Sequence, residues 1–160
     1  MFKQILTKKK IICVLAGILL VLIVWTAWGN TALERNTYTI SSRELPDAFD
    51  GYRIAQVSDL HNAEFGDGNQ QLLDMLREAE PDMIAITGDL IDSRKTNIVV
   101  ALAFAKEAVK IAPCYYVSGN HEARVSEYQD LKTGLEAAGV TVLDDAQVLE
   151  STKNVTKKST

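Results

Sequence analysis

An α/β fold carried behind an N-terminal transmembrane helix is the architecture this sequence predicts, on three observations. Residues 11–28 are without exception apolar, Gly or Thr (IICVLAGILLVLIVWTAW). From residue 38 onward, short apolar runs alternate with segments whose apolar residues recur at helical spacing, the cadence of a parallel or mixed sheet with helices packed on it. Three of those runs end in polar clusters, SDLHN, GDLID and SGNHE, and in such sheets ligands sit at the carboxyl ends of strands. The composition agrees, since a chain of 160 residues at 47% hydrophobic and 24% charged, with 9 Gly and 3 Pro, folds rather than staying disordered. Setting aside the apolar run and a polar end leaves roughly 120 residues, enough for one modest core.

Taken in order, Lys3, Lys8, Lys9 and Lys10 precede the apolar run, and Trp25 and Trp28 lie at its far end. At about 1.5 Å per residue the run spans roughly 27 Å, close to the hydrocarbon thickness of a bilayer. The positive-inside rule then places residues 1–10 in the cytoplasm and the body outside the membrane. A stretch this long exceeds the signal-peptide core of about 7 to 15 residues, so residues 11–28 read as an uncleaved signal anchor. Ile18, not Cys, follows Leu15-Ala16-Gly17, so no lipobox is present.

Residues 29–50 form a linker with a first strand at Tyr38–Ile40, and residues 51–149 form the body. Tyr52–Val57 is strand-like, and Leu72, Leu73, Leu76 and Ala79 mark a helix that Pro81 ends. Met83–Thr87 is an apolar strand; Ile98, Leu102, Ala105 and Val109 mark a second helix; Tyr115–Val117 is a third core strand. Tyr128, Leu131, Leu135 and Ala138 mark a third helix stopped by Gly139, and Val140–Leu143 is one more strand. Residues 150–160 are a polar, flexible tail.

Charge and cysteine usage exclude several functions. All 21 acidic residues, but 10 of the 17 basic ones, lie between residues 30 and 150, which argues against a nucleic-acid surface and suits a body that collects cations. Cys13 in the apolar run and Cys114 in the body make no disulfide framework, and Cys114 reads as a small buried hydrophobe. Gly66-Asp67-Gly68 is followed by Gln71 where a dinucleotide fingerprint needs a third glycine, and neither a P-loop nor a GxSxG elbow occurs.

The polar strand ends carry the chemistry. Asp59 and His61 are two residues apart, so an extended strand end turns both to one side and offers oxygen and nitrogen to one metal. Asp89 follows Gly88, which lets the backbone turn closely, and a carboxylate can bridge two cations. Asn120 offers a neutral carbonyl oxygen, leaving the adjacent His121 free for proton work. Each motif alone has a plainer reading: Asp59-Leu60-His61 as an accident, Asp92 as a helix cap, Gly119-Asn120 as a turn. Their occurrence in order, each after an apolar strand, points instead to a two-metal hydrolytic site.

As Asp59-Leu60-His61, Gly88-Asp89-Leu90-Ile91-Asp92 and Gly119-Asn120-His121-Glu122, the motifs resemble the opening signature of the calcineurin-like metallophosphoesterase superfamily. The run LPDAFDGYRIAQVSDLH is similar to that of its membrane-anchored bacterial branch, and the resemblance covers residues 38–149. It implies the first half of a metallophosphoesterase β-sandwich flanked by helices, two divalent metal ions (Mn, Fe or Zn), and a phosphoester or pyrophosphate substrate, lipid-linked given the anchor. It implies a reaction in which a metal-bound hydroxide attacks phosphorus. By the same resemblance Asp59 and His61 bind the first metal, Asp89 bridges both and Asn120 binds the second. His121 acts on the phosphoryl group, oriented by Asp92, while Glu122, Gly88 and Gly119 stand behind the ligands. The family adds later histidines, including a GHxH motif, whereas His61 and His121 are the 2 histidines here. The chain is therefore expected to be the N-terminal portion of a longer reading frame; the alternative is a membrane-tethered, catalytically inactive metal-binding or scaffold module.

Overall fold

The computed structural model describes residues 8–31 and 33–143, in two units that divide after Asn36. The expected N-terminal segment up to residue 7, the end of the body from residue 144, and the tail 150–160 lie outside the described residues. The first unit is helix α1, Lys8–Thr31, 24 residues long. Its apolar side chains, among them Ile11, Leu15, Leu20 and Trp25, are exposed. Thr26 Oγ1 donates to the Leu22 carbonyl at 2.9 Å and lies 3.0 Å from that of Ile23, so its hydroxyl is satisfied within the helix. Among the described residues no helix is long and apolar enough to cross a membrane; the expected span 11–28 runs to residues 27 and 28, whose side chains lie outside the description.

The second unit is built on a parallel sheet of β1 (Ile54–Val57), β2 (Met83–Thr87), β3 (Cys114–Val117) and β4 (Thr141–Val142), in the order β1-β2-β3-β4. Helices α2 (Gln70–Ala79), α3 (Ile98–Ala108) and α4 (Tyr128–Ala138) fill the crossovers. Because neighbouring strands are consecutive in sequence, right-handed crossovers place every helix on one face; α2 touches α3 and α3 touches α4, as that placement requires.

The period-2 alternation of the strands divides their side chains between two faces. Ile84, Ile86, Cys114 and Tyr116 are buried toward the helix layer, where Leu73, Phe104, Ala105, Leu131 and Leu135 complete the core. Each such large side chain contributes about 1.5–3 kcal/mol on burial. Burial pushes the Cys114 thiol up to about 11, so it behaves as the small hydrophobe expected. On the other face Met83, Ala85, Thr87, Tyr115, Val117 and Leu143 line a shallow depression of about 190 Å³, and Gln56 Nε2 donates to Thr87 Oγ1 at 2.8 Å.

Helix boundaries follow from local chemistry. Asn97 Oδ1 accepts from the Val99 amide at 3.2 Å and caps α3; the cap is Asn97 and not Asp92. Glu80 takes a left-handed conformation at the end of α2, and Pro81 cannot continue the helix. At the end of α4, Gly139 at φ 96° lets the amides of Gly139 and Val140 reach back to Glu136 and Leu135, both at 3.0 Å. A methyl on Gly134 would lie 2.6 Å from Leu102 Cδ2 and 2.7 Å from its Cδ1, so α3 packs the tip of Leu102 directly over this glycine of α4.

The expected strands differ from the structure in four places; β3 begins at Cys114 rather than Tyr115, and β4 spans Thr141–Val142 rather than Val140–Leu143. Tyr38–Ile40 forms no strand, with Tyr38 84% and Ile40 85% exposed, because no described neighbour offers it a ladder. β1 begins at Ile54 rather than Tyr52, because the Arg53 amide donates to Asp82 Oδ2 at 2.7 Å instead of entering the sheet.

Candidate metal centre

The polar clusters arrive together because each is anchored by its own apolar residues. Leu60, Leu90 and Ile91 are buried between Asp59, His61, Asp89 and Asp92 in the chain, so the loops are tied down, with Asp89 buried beside them and Asp59 left exposed. The loop after β1 runs along the loop after β2 by three backbone bonds, Asp59 N–H to Gly88 O (3.1 Å), His61 N–H to Asp89 O (2.9 Å) and Asn62 N–H to Leu90 O (3.0 Å). The loop after β3 joins through the His121 amide, which donates to Asp89 Oδ1 at 2.8 Å.

Close approach of the second and third loops needs both glycines. A methyl on Gly88 would fall 2.7 Å from Gly119 Cα, and one on Gly119 would overlap the Asp89 carboxylate. Asp59 (φ 58°), His61 (47°), Asn62 (63°) and Asp89 (52°) are held in the left-handed region. Such a residue costs on the order of 1–3 kcal/mol and persists where its surroundings over-determine it, a pattern that gathers at functional sites.

His61, Asp89 and His121 each offer a ligand atom, all within 4.8 Å of one another. The two imidazoles meet edge to face with centroids 4.4 Å apart. His61 Nδ1 is buried without a hydrogen-bond partner among the described residues, while its Nε2 lies 3.7 Å from Asp59 Oδ1. An unpaired buried imidazole nitrogen on His61 within reach of the Asp89 carboxylate offers nitrogen and oxygen to a divalent transition-metal ion, so these two residues fit the expected metal. Asp59 is largely exposed and bonded to the Ser58 hydroxyl. Asn120 is exposed, in a backbone pinned on both sides by the amides of Gly119 and His121.

His121 is held by a group that the sequence reading passed over. The Ser93 amide donates to its Nδ1 at 3.0 Å, and the Ser93 hydroxyl lies 3.2 Å away. A neutral imidazole that accepts at Nδ1 carries its proton on Nε2, which then donates rather than binds metal. Asp92 is farther, with Oδ1 3.6 Å from Nδ1, and spends its carboxylate on Arg94, with Nε at 3.0 Å and Nη2 at 2.7 Å. The Arg94 side chain and amide, with a smaller contribution from His121, hold the Asp92 carboxyl far below the usual range, and Asp92 in turn raises Arg94. The amide contact leaves no residue-type signal, because any residue except proline would donate it; the hydroxyl contact alone is particular to Ser93.

Glu122 is fully buried. Its Oε2 accepts from the amides of Asp89 and Gly119, both at 2.8 Å, and its Oε1 from that of Ile91 at 3.1 Å.

The family model for calcineurin-like phosphoesterases matches residues 52–155. Among curated proteins, the uncharacterized metallophosphoesterase YkuE of Bacillus subtilis (strain 168) is 31% identical over 116 residues, 69% of this chain and 40% of the relative. The uncharacterized metallophosphoesterase YkoQ of the same organism is 31% identical over 140 residues, 84% of this chain and 52% of the relative. A transmembrane protein with metallophosphoesterase domain from Danio rerio is 26% identical over 109 residues, 67% of this chain and 25% of the relative. The chain spans about half or less of the length of these relatives.

Proposed function

This chain belongs to the calcineurin-like phosphoesterase family, and we propose that it contributes the strand-end loops of a two-metal centre that hydrolyses phosphoesters. The observation that carries the reading is the meeting of His61, Asp89 and His121 within 4.8 Å at the carboxyl ends of three parallel strands. In this reading Asp59 and His61 hold one ion, Asp89 faces both, and Asn120 holds the second. Divalent ions bound there would supply Lewis acidity toward phosphoryl oxygens and lower the pKa of water.

The protein's own groups do the rest. His121, its Nδ1 occupied by the Ser93 amide, presents Nε2–H to a phosphoryl oxygen or leaving group, the placement that stabilises charge as it develops. Arg94, locked to Asp92 and with its side chain 82% exposed, adds positive charge on the same loop. The strained backbone at Asp59, His61 and Asp89 fixes ligand directions in advance, so reorganisation on binding is small.

The test is hydrolysis of an aryl phosphodiester and an aryl phosphomonoester by the chain loaded with Mn²⁺, Fe²⁺ or Zn²⁺, with Asp89→Asn beside it. Turnover that falls at least about 100-fold in Asp89→Asn supports the reading. Metal binding without turnover by the parent chain would favour the inactive tethered module.

For the N-terminal unit, the reading is a single-pass anchor with the N-terminus in the cytoplasm. It is supported by the unbroken apolar helix, its internally satisfied Thr26, the preceding lysines, and the relative named as a transmembrane protein. Resistance of the chain to alkaline carbonate extraction from membranes is the expected outcome; release into the supernatant would contradict it.

A further inference from the structure

We propose that Glu122 is a positioning residue, a buried carboxylate that fixes the spacing between the Asp89 and His121 loops and thereby the metal affinity of the centre. The inference rests on the two-metal reading for its consequence but not for its geometry. Glu122 sits in the short 3-10 turn Glu122–Arg124 directly after the β3 loop, and its side chain is wholly enclosed. A carboxylate so buried is retained only where donors satisfy it, and here the donors are three backbone amides rather than a cationic side chain.

The division of labour between its oxygens sets the argument. Oε2 is shared by the Asp89 amide of the β2 loop and the Gly119 amide of the β3 loop, both at 2.8 Å, so one atom spans the two loops. Oε1 takes the Ile91 amide at 3.1 Å, which fixes the carboxylate plane and with it the direction of Oε2. Asp89 is therefore gripped from two sides, its amide by Glu122 and its Oδ1 by the His121 amide at 2.8 Å. Asp89 must hold its left-handed φ of 52° against its intrinsic preference, and the bond to its amide opposes relaxation.

Glutamine is the informative replacement. It has nearly the same shape but a single acceptor oxygen, so its NH₂ group must face at least one of the three amide donors. Aspartate keeps both oxygens but is one methylene shorter, so it cannot reach all three amides from the same backbone position.

The experiment uses the full chain in detergent micelles. In the parent protein, NMR couplings across hydrogen bonds are expected between the Glu122 side-chain carboxyl carbon and the amide nitrogens of Asp89, Ile91 and Gly119. Their absence, with the resonances assigned, overturns the proposal without any variant having to fold. In Glu122→Gln, hydrogen exchange at those three amides should accelerate at least about tenfold beyond that at core strand amides, and Mn²⁺ affinity measured by calorimetry should fall about 10- to 100-fold. Ile84→Val, which removes a methylene from a fully buried residue near the start of β2, away from the loops, separates this role from general destabilisation and should leave Mn²⁺ affinity within about twofold. Unchanged exchange in Glu122→Gln, or equal loss of Mn²⁺ affinity in Ile84→Val, refutes the role assigned to Glu122. If the parent binds no Mn²⁺ while the couplings are present, the two-metal reading fails and the loop staple stands.

Discussion

Replacing Gly119 by alanine would drive a methyl group onto the Asp89 carboxylate. Gly119 is not among the positive-φ glycines, so an alanine backbone is permitted there and the whole cost is one of contact. The added carbon would also lie 2.5 Å from the Asp89 amide nitrogen and 2.7 Å from its Cγ, too close for any rotamer of the methyl to escape. Either the loops part or Asp89 swings away, and both routes break the bond from the His121 amide to Asp89 Oδ1, 2.8 Å in the parent. Loss of a hydrogen bond to a charged acceptor costs about 1.5–3 kcal/mol, and overpacking of a tight contact about 1–3 kcal/mol. Relaxation shares the two, so about 2 kcal/mol is the expected loss, a fall in Tm of roughly 8 °C for a domain of about 120 residues. Scanning calorimetry measures that fall, and a Mn²⁺ titration of the same sample should show affinity reduced at least about tenfold. A Tm within about 2 °C of the parent together with unchanged Mn²⁺ affinity would refute the claim that the Gly119–Asp89 contact shapes the centre.

Other outcomes follow from the same geometry. Gly134→Ala should shift stability by less than about 1 kcal/mol: Leu102 Cδ2, 2.6 Å from the added carbon, is the tip of a side chain that can turn aside, and alanine in a helix interior gains up to about 1 kcal/mol over glycine; chemical denaturation measures it, and a loss above about 2 kcal/mol would mean that Leu102 cannot move. Arg94→Ala removes the largest cause of the low Asp92 value, so the Asp92 carboxyl should titrate upward toward its ordinary 3.8 when followed by carbon NMR. The sign for stability is that of a depressed carboxylate: the Asp92 contribution is present above about pH 4 and is lost as pH falls through its folded value, so the parent should lose more stability on acidification than Arg94→Ala. Cys114, its thiol raised to about 11 by burial, should resist an aromatic disulfide reagent at pH 8 in the native chain and react once denatured; rapid native labelling would show that β3 is open to solvent.

The sheet and its helices were legible because burial leaves a period in the sequence. Leu72, Leu73 and Leu76 all face the core of α2, and the apolar run Met83–Thr87 is the strand β2. The three polar clusters were legible for a related reason, since an apolar strand that stops abruptly at Ser-Asp, Gly-Asp or Ser-Gly-Asn marks the carboxyl edge of a parallel sheet. What lay hidden is carried by the backbone. The left-handed φ values of Asp59, His61 and Asp89 could not be read from the sequence, because Asp and His occur far more often at ordinary backbone angles and only the neighbouring contacts impose these. The Ser93 amide that holds His121 would be donated by any residue other than proline. Tyr38–Ile40 shows the converse error: Tyr, Thr and Ile favour strands, yet propensity forms none without a partner to complete the ladder.

Whether His61 and Asp89 hold a cation together decides the function of these loops. X-ray absorption of the chain titrated with Mn²⁺ reads the coordination shell itself. The expected spectrum contains imidazole scattering beside carboxylate oxygens, with the imidazole contribution reduced in His61→Asn and the bound metal largely lost in Asp89→Asn. A shell of water oxygens that neither substitution alters would contradict it.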